Sequence, residues 1–134
     1  MLLAVLTRLD KVAREIERGR TDPARIRCDV YRCRNRLYTA ISFLGETPLR
    51  DNSQAWRHVE EEAGAADECL AYALESLEYG EADSAITDLD RALENLRLVL
   101  FTIRSRTNLR YRSWPFDPWR NVAKRISAQD TAHA

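Results

Sequence analysis

Histidine is nearly absent from this chain: His58 and His133 are the only two in 134 residues. No Ser/His/Asp or Cys/His arrangement can be assembled from them, so an enzyme is not expected. Glycine and proline number four each. That is too few for the many turns of an all-β fold, and no Gly-rich phosphate loop is present. The three cysteines, Cys28, Cys33 and Cys69, are odd in number and lack CxxC spacing. Neither a disulfide framework nor a zinc site is expected from them. No run approaches the roughly 18 apolar residues of a membrane span. The opening Met1-Leu2-Leu3-Ala4-Val5-Leu6 is interrupted by Arg8, Asp10 and Lys11 and has no basic residue before it. It does not read as a signal peptide, and the expected location is cytoplasmic, with no membrane partner.

What the chain does have is charge, and the charge is segregated. Residues 1–50 carry eleven Lys+Arg against six Asp+Glu, residues 51–100 three against thirteen, and residues 101–134 seven against two. The net charge of zero therefore conceals a basic, acidic, basic order. Nineteen of the 21 basic residues are arginine, the side chain whose planar fork suits carboxylate and phosphate alike.

Apolar spacing predicts an all-α protein. Ala82, Ile86, Leu89, Leu93, Leu96, Leu100 and Ile103 alternate by 4 and 3 residues, which places them on one seam of a helix. Ala85, Ala92 and Val99 widen that seam. A first helix is expected over 2–18, with Gly19 beyond its end. A second begins at Asp22-Pro23, a cap followed by the first helical position, runs along Ile26, Val30, Cys33, Leu37, Ala40 and Leu44, and ends at Gly45. Asp51 or Ser53 is expected to cap a third helix carrying Trp56, Val59, Ala63, Ala66, Leu70, Ala73 and Leu77. Gly80 and Glu81 then leave only a tight turn before the fourth. Short connections of this kind give an antiparallel up-down-up-down four-helix bundle over 1–106. The fourth helix should fade after Arg106, leaving 107–134 as a basic, Trp- and Pro-containing C-terminal segment. Asp117-Pro118 repeats the cap device, so a short fifth helix is expected at 118–127, followed by a frayed tail.

The bundle interior offers no chemistry. Glu-x-x-His motifs of di-metal bundles are absent, and Glu60-Glu61-Glu62 and Asp67-Glu68 lie off the apolar seams. No metal and no cofactor are expected.

The second helix is more informative. Arg27, Tyr31, Arg34 and Tyr38 share one stripe, and Arg25, Asp29, Arg32 and Arg36 share another on the opposite flank of the seam. Arginine with interleaved tyrosine suits the phosphates and bases of RNA or single-stranded DNA. The same arginines also suit pairing with the acids of adjacent helices, among them Glu60, Asp67, Glu75, Asp88 and Glu94, or with the acidic surface of another protein. A second basic set, Arg104, Arg106, Arg110, Arg112, Arg120 and Lys124, surrounds Trp114, Phe116 and Trp119. Those aromatics are costly to expose, so they either pack back on the bundle or anchor a partner.

No motif names a family. Small size, an all-helical pattern and basic patches are shared with small bundle subunits of nucleoprotein assemblies, including the small subunits of RNA-guided CRISPR effectors, which is similarity of class alone. The expectation is a non-enzymatic subunit contacting nucleic acid and other protein subunits. The alternative is a protein–protein adaptor or self-assembling bundle, with its arginines paired internally and the C-terminal aromatics anchoring the partner or a second copy.

Overall fold

Four long helices account for nearly all of the regular structure. The structure, a computed structural model, describes residues 1–19 and 22–110, with side chains described as far as 105. Its elements are α1 (Leu2–Glu17), α2 (Pro23–Gly45), a 3₁₀ turn at Pro48–Asp51, α3 (Ser53–Glu78) and α4 (Ala82–Arg110). No strand occurs among the described residues. The main packing pairs are α1 with α2, α2 with α3, α3 with α4, and α1 with α4. Each helix therefore has two principal neighbours around one core.

Local chemistry accounts for most of the helix ends. Asp22 caps α2 through its carboxylate, which accepts from the Ala24 N–H at 3.1 Å, with Pro23 following as first helical residue. Gly80 has a φ of 72°, a left-handed conformation that costs glycine least. Its N–H donates to the Leu77 carbonyl at 3.3 Å, and the Glu81 N–H donates to Ser76 at 2.8 Å. These two bonds close the end of α3 in a Schellman arrangement.

Three details depart from the sequence reading. The cap of α3 is Asn52, whose Oδ1 accepts from the Ala55 N–H at 3.1 Å. Asp51 closes the 3₁₀ turn and Ser53 is already helical. Asn52→Ala should therefore cost about 0.5–2 kcal/mol, and Asp51→Ala clearly less, read by thermal denaturation of the two variants. The 46–52 connection is also not an open loop, because its 3₁₀ turn buries Leu49 against the core. Finally, α4 continues to Arg110, four residues past the expected end. Gly45 does end α2, and the residue type there answers to packing. Its backbone is not left-handed, and a Cβ there would lie 3.3 Å from the Trp56 ring.

The core follows the seams closely. Leu9, Val30, Val59, Leu70, Leu89, Leu96 and Val99 are completely shielded. Small side chains on α3 (Ala63, Ala66 and Ala73, all buried) let α4 approach, and α3 with α4 is the most extensive pairing. At the hairpin end of α4 the buried band begins at Ala85, with Ala82 exposed and Ile86 half-buried.

Candidate nucleic-acid interface

Because α2 buries Ile26, Val30, Cys33, Leu37, Ala40 and Leu44, its arginines are confined to the remaining faces. The structure separates them into two flanks with different electrostatics.

The flank toward α3 is largely balanced. Arg34 makes a forked contact with Asp67, Nε to Oδ1 at 2.7 Å and Nη2 to Oδ2 at 3.3 Å. This hydrogen bonding raises the guanidinium's pKa above its ordinary value. The groove beside it is lined by Arg27, Tyr31 and Arg32 from α2 and by Glu75 and Glu78 from α3. Internal pairing thus describes Arg34, with Arg27 and Arg32 across a groove from two acids.

The flank toward α1 is different. Arg25, Arg32 and Arg36 are exposed and form no ion pair among the described residues. Arg8 of α1 joins them. The buried Cys33 thiol is pushed up to about 11 by desolvation, opposed by the nearby positive charges of Arg8 and Arg36 and supported by Asp29. Arg8 of α1 and Arg36 of α2 therefore both lie near the Cys33 sulfur. Asp29 and Glu15, the latter seven residues after Arg8, are the acids on this flank. Arg8 escaped the sequence reading because each helix was read alone. Its position immediately before Leu9, at the edge of the first seam, was the available signal.

The rest of α1 explains why this flank stays positive. Arg14 bonds Asp90 of α4 at 2.6 Å and Glu17 at 2.7 Å, and lies 3.7 Å from Asp10. Two of the acids of α1 are thus drawn toward the α4 side. Ion pairs bridge α1 to α4 and α2 to α3, whereas the contacts of α3 with α4 are neutral: Ser76 with Ser84 at 3.2 Å and Asn95 with Cys69 at 4.0 Å. Exposed Glu60, Glu61, Glu68, Glu78, Glu81, Asp83 and Glu94 leave α3 and the first half of α4 acidic.

Tyr31 and Tyr38 are 58% and 77% exposed, enough ring area to accept a stacked base. Arg104 is half-buried and engaged, and Arg97 is exposed. The side chains of Arg106 and Arg110, and all of Arg112, Trp114, Phe116, Trp119, Arg120, Lys124 and the expected 118–127 helix, lie outside the described residues. Among the described residues no group of three or more His, Cys, Asp or Glu side chains could hold a metal ion, and no helix is long and apolar enough to cross a membrane.

In comparisons with known proteins, no family model, no curated protein and no solved structure matches this chain.

Proposed function

We propose that this chain is a non-enzymatic subunit of a nucleoprotein assembly that holds RNA or single-stranded DNA along the α1–α2 flank. The observation that carries the reading is the row of Arg25, Arg32 and Arg36, exposed and without ion pairs among the described residues, with Arg8 beside it. Along the helix axis Arg25 to Arg36 spans roughly 16 Å, long enough to follow several phosphates. Tyr31 and Tyr38, around the helix from this row, supply faces for bases. The acidic surface of α3 and α4 would meet basic partner subunits. Ion pairs among the described residues hold Arg14 and Arg34 but not Arg25, Arg32 or Arg36, which favours this reading over a protein–protein adaptor.

The bundle in this proposal is antiparallel, up-down-up-down, within a cytoplasmic complex. Two pairs of contacts support that direction. Arg34 meets Asp67 and Gly45 lies under Trp56; Ser76 meets Ser84 and Cys69 meets Asn95. In each pair of helices, residue numbers rise on one as they fall on the other.

The test is a titration of a fluorescent single-stranded oligouridylate with the purified chain at increasing salt. Phosphate contacts make log affinity fall linearly with log salt, by about 0.7 per contact for a single strand. A flat salt dependence, or no binding at about 50 mM salt, overturns the reading.

A further inference from the structure

A groove on the side of α2 facing away from α1 shares only Tyr38 with the nucleic-acid reading. It runs between the second half of α2 and the first half of α3. Ile41, Gly45, Trp56 and Gly64 lie along it, and Glu46 and Glu60 stand at its edges. Arg50 also borders it, and Asp67, at its far end, is already held by Arg34. The groove is thus apolar along its floor and acidic at its rim.

Gly64 is the feature the described fold does not explain. It sits in the interior of α3, where glycine weakens a helix relative to alanine. Its φ is not positive, it is exposed, and a Cβ built on it would meet nothing within 4 Å. Gly45, across the same groove, is accounted for by the Trp56 ring at 3.3 Å. No described neighbour comes that close to Gly64. A glycine of this kind suits a flat group lying directly on the helix backbone. Trp56, half-buried, lines the same groove two turns earlier, and Tyr38 at the groove's edge is the most exposed large hydrophobic residue described, at 77%.

We infer that the occupant is the chain's own C-terminal segment, with Trp114, Phe116 and Trp119 packed along the Trp56–Gly64 floor. Three observations favour this segment. It brings three large aromatic side chains within six residues, and aromatic pairs gain from edge and offset stacking on a ring such as Trp56. It is basic: residues 111–134 hold Arg112, Arg120, Lys124 and Arg125 against Asp117 and Asp130, matching the acidic rim. It also starts in the right place. Asn95 of α4 meets Cys69 of α3, and fifteen residues further along, Arg110 comes level with the start of α3. Trp114 is four residues beyond, a reach of at most about 14 Å, against a helix diameter of roughly 10 Å. The inference rests on none of the arginines of the nucleic-acid proposal.

Cysteine cross-linking in the full chain tests it. Glu60→Cys on the rim and Ser113→Cys would be combined in a Cys28→Ser, Cys69→Ser background, which leaves Gly64 unchanged, with helicity checked by circular dichroism. Mild oxidation of dilute protein should form an intramolecular disulfide at least tenfold faster than the pair Phe101→Cys with Ser113→Cys, whose first partner is exposed on α4 about 14 Å back from Arg110. Adding Trp114→Ala and Trp119→Ala should slow it about tenfold, since tethering alone would survive the loss of the rings. Equal rates at the two positions overturn the inference, as does absence of a cross-link. Predominant covalent dimers also overturn it and assign the groove to a second copy.

Discussion

Replacing Arg32 and Arg36 together with alanine should weaken oligouridylate binding about 25-fold at 0.1 M salt. The figure follows from counterion release. Two lost phosphate contacts remove about 1.4 from the slope of log affinity against log salt, and between 1 M and 0.1 M that slope is worth about 25-fold. The loss should shrink toward nothing as salt approaches 1 M, because only the electrostatic part has been removed. Both side chains are exposed and make no ion pair among the described residues, so stability should change by less than about 0.5 kcal/mol. Arg34→Ala is the matched control on the same helix. Its guanidinium is held by Asp67 at 2.7 Å, so binding should stay within about twofold of the parent. Stability should drop by up to about 1 kcal/mol, the small value appropriate to a pair this accessible to solvent. If Arg34→Ala weakens binding as much as the double variant, the separation of α2 into a working flank and a structural flank is wrong.

The largest effect on stability should come from Leu96→Ala, at about 2–5 kcal/mol. Leu96 has no exposed surface and sits in the middle of α4, the helix that packs on both α1 and α3. Neighbouring side chains come from three helices and cannot all move to fill the space left behind, so the cavity adds to the lost transfer energy. Leu98→Ala supplies the comparison. It is the same change two residues later, at a side chain 41% exposed, and should cost less than about 1 kcal/mol. Thermal or urea unfolding of both variants measures the difference. Similar losses would mean that α4 is not seated as described.

Much of this fold could be read from spacing alone. Leu89, Leu93, Leu96, Leu100 and Ile103 are all buried, as their alternation by 3 and 4 required. Asp22-Pro23 and Gly80 mark ends because the backbone groups there have few other solutions. What escaped depended on neighbours. Asp51, Asn52 and Ser53 are three consecutive polar residues able to cap, and the 3₁₀ turn that buries Leu49 selects among them. Arg32 and Arg34 look alike in sequence, with one acid, Asp67, separating their roles. The contribution of Arg8 to the basic flank emerges only once α1 lies against α2. Pattern along one helix gives the core face, whereas the charge of an outer face is set jointly by two helices.

The Gly80–Glu81 connection also bears on how the chain finds its structure. With so little chain between them, α3 and α4 lose little loop entropy on meeting, and theirs is the most extensive packing in the molecule. Assembly should begin at this hairpin, with α1 added last across the longest separation in sequence. In refolding experiments Ala73→Gly and Leu89→Ala should slow folding, whereas Val12→Ala should mainly speed unfolding. The reverse partition would place the nucleus elsewhere. A chain that starts from its acidic α3–α4 pair would gather α2 and α1 onto a surface already negative through Arg34 with Asp67 and Arg14 with Asp90, so the segregation of charge would also guide the chain to its native pairing.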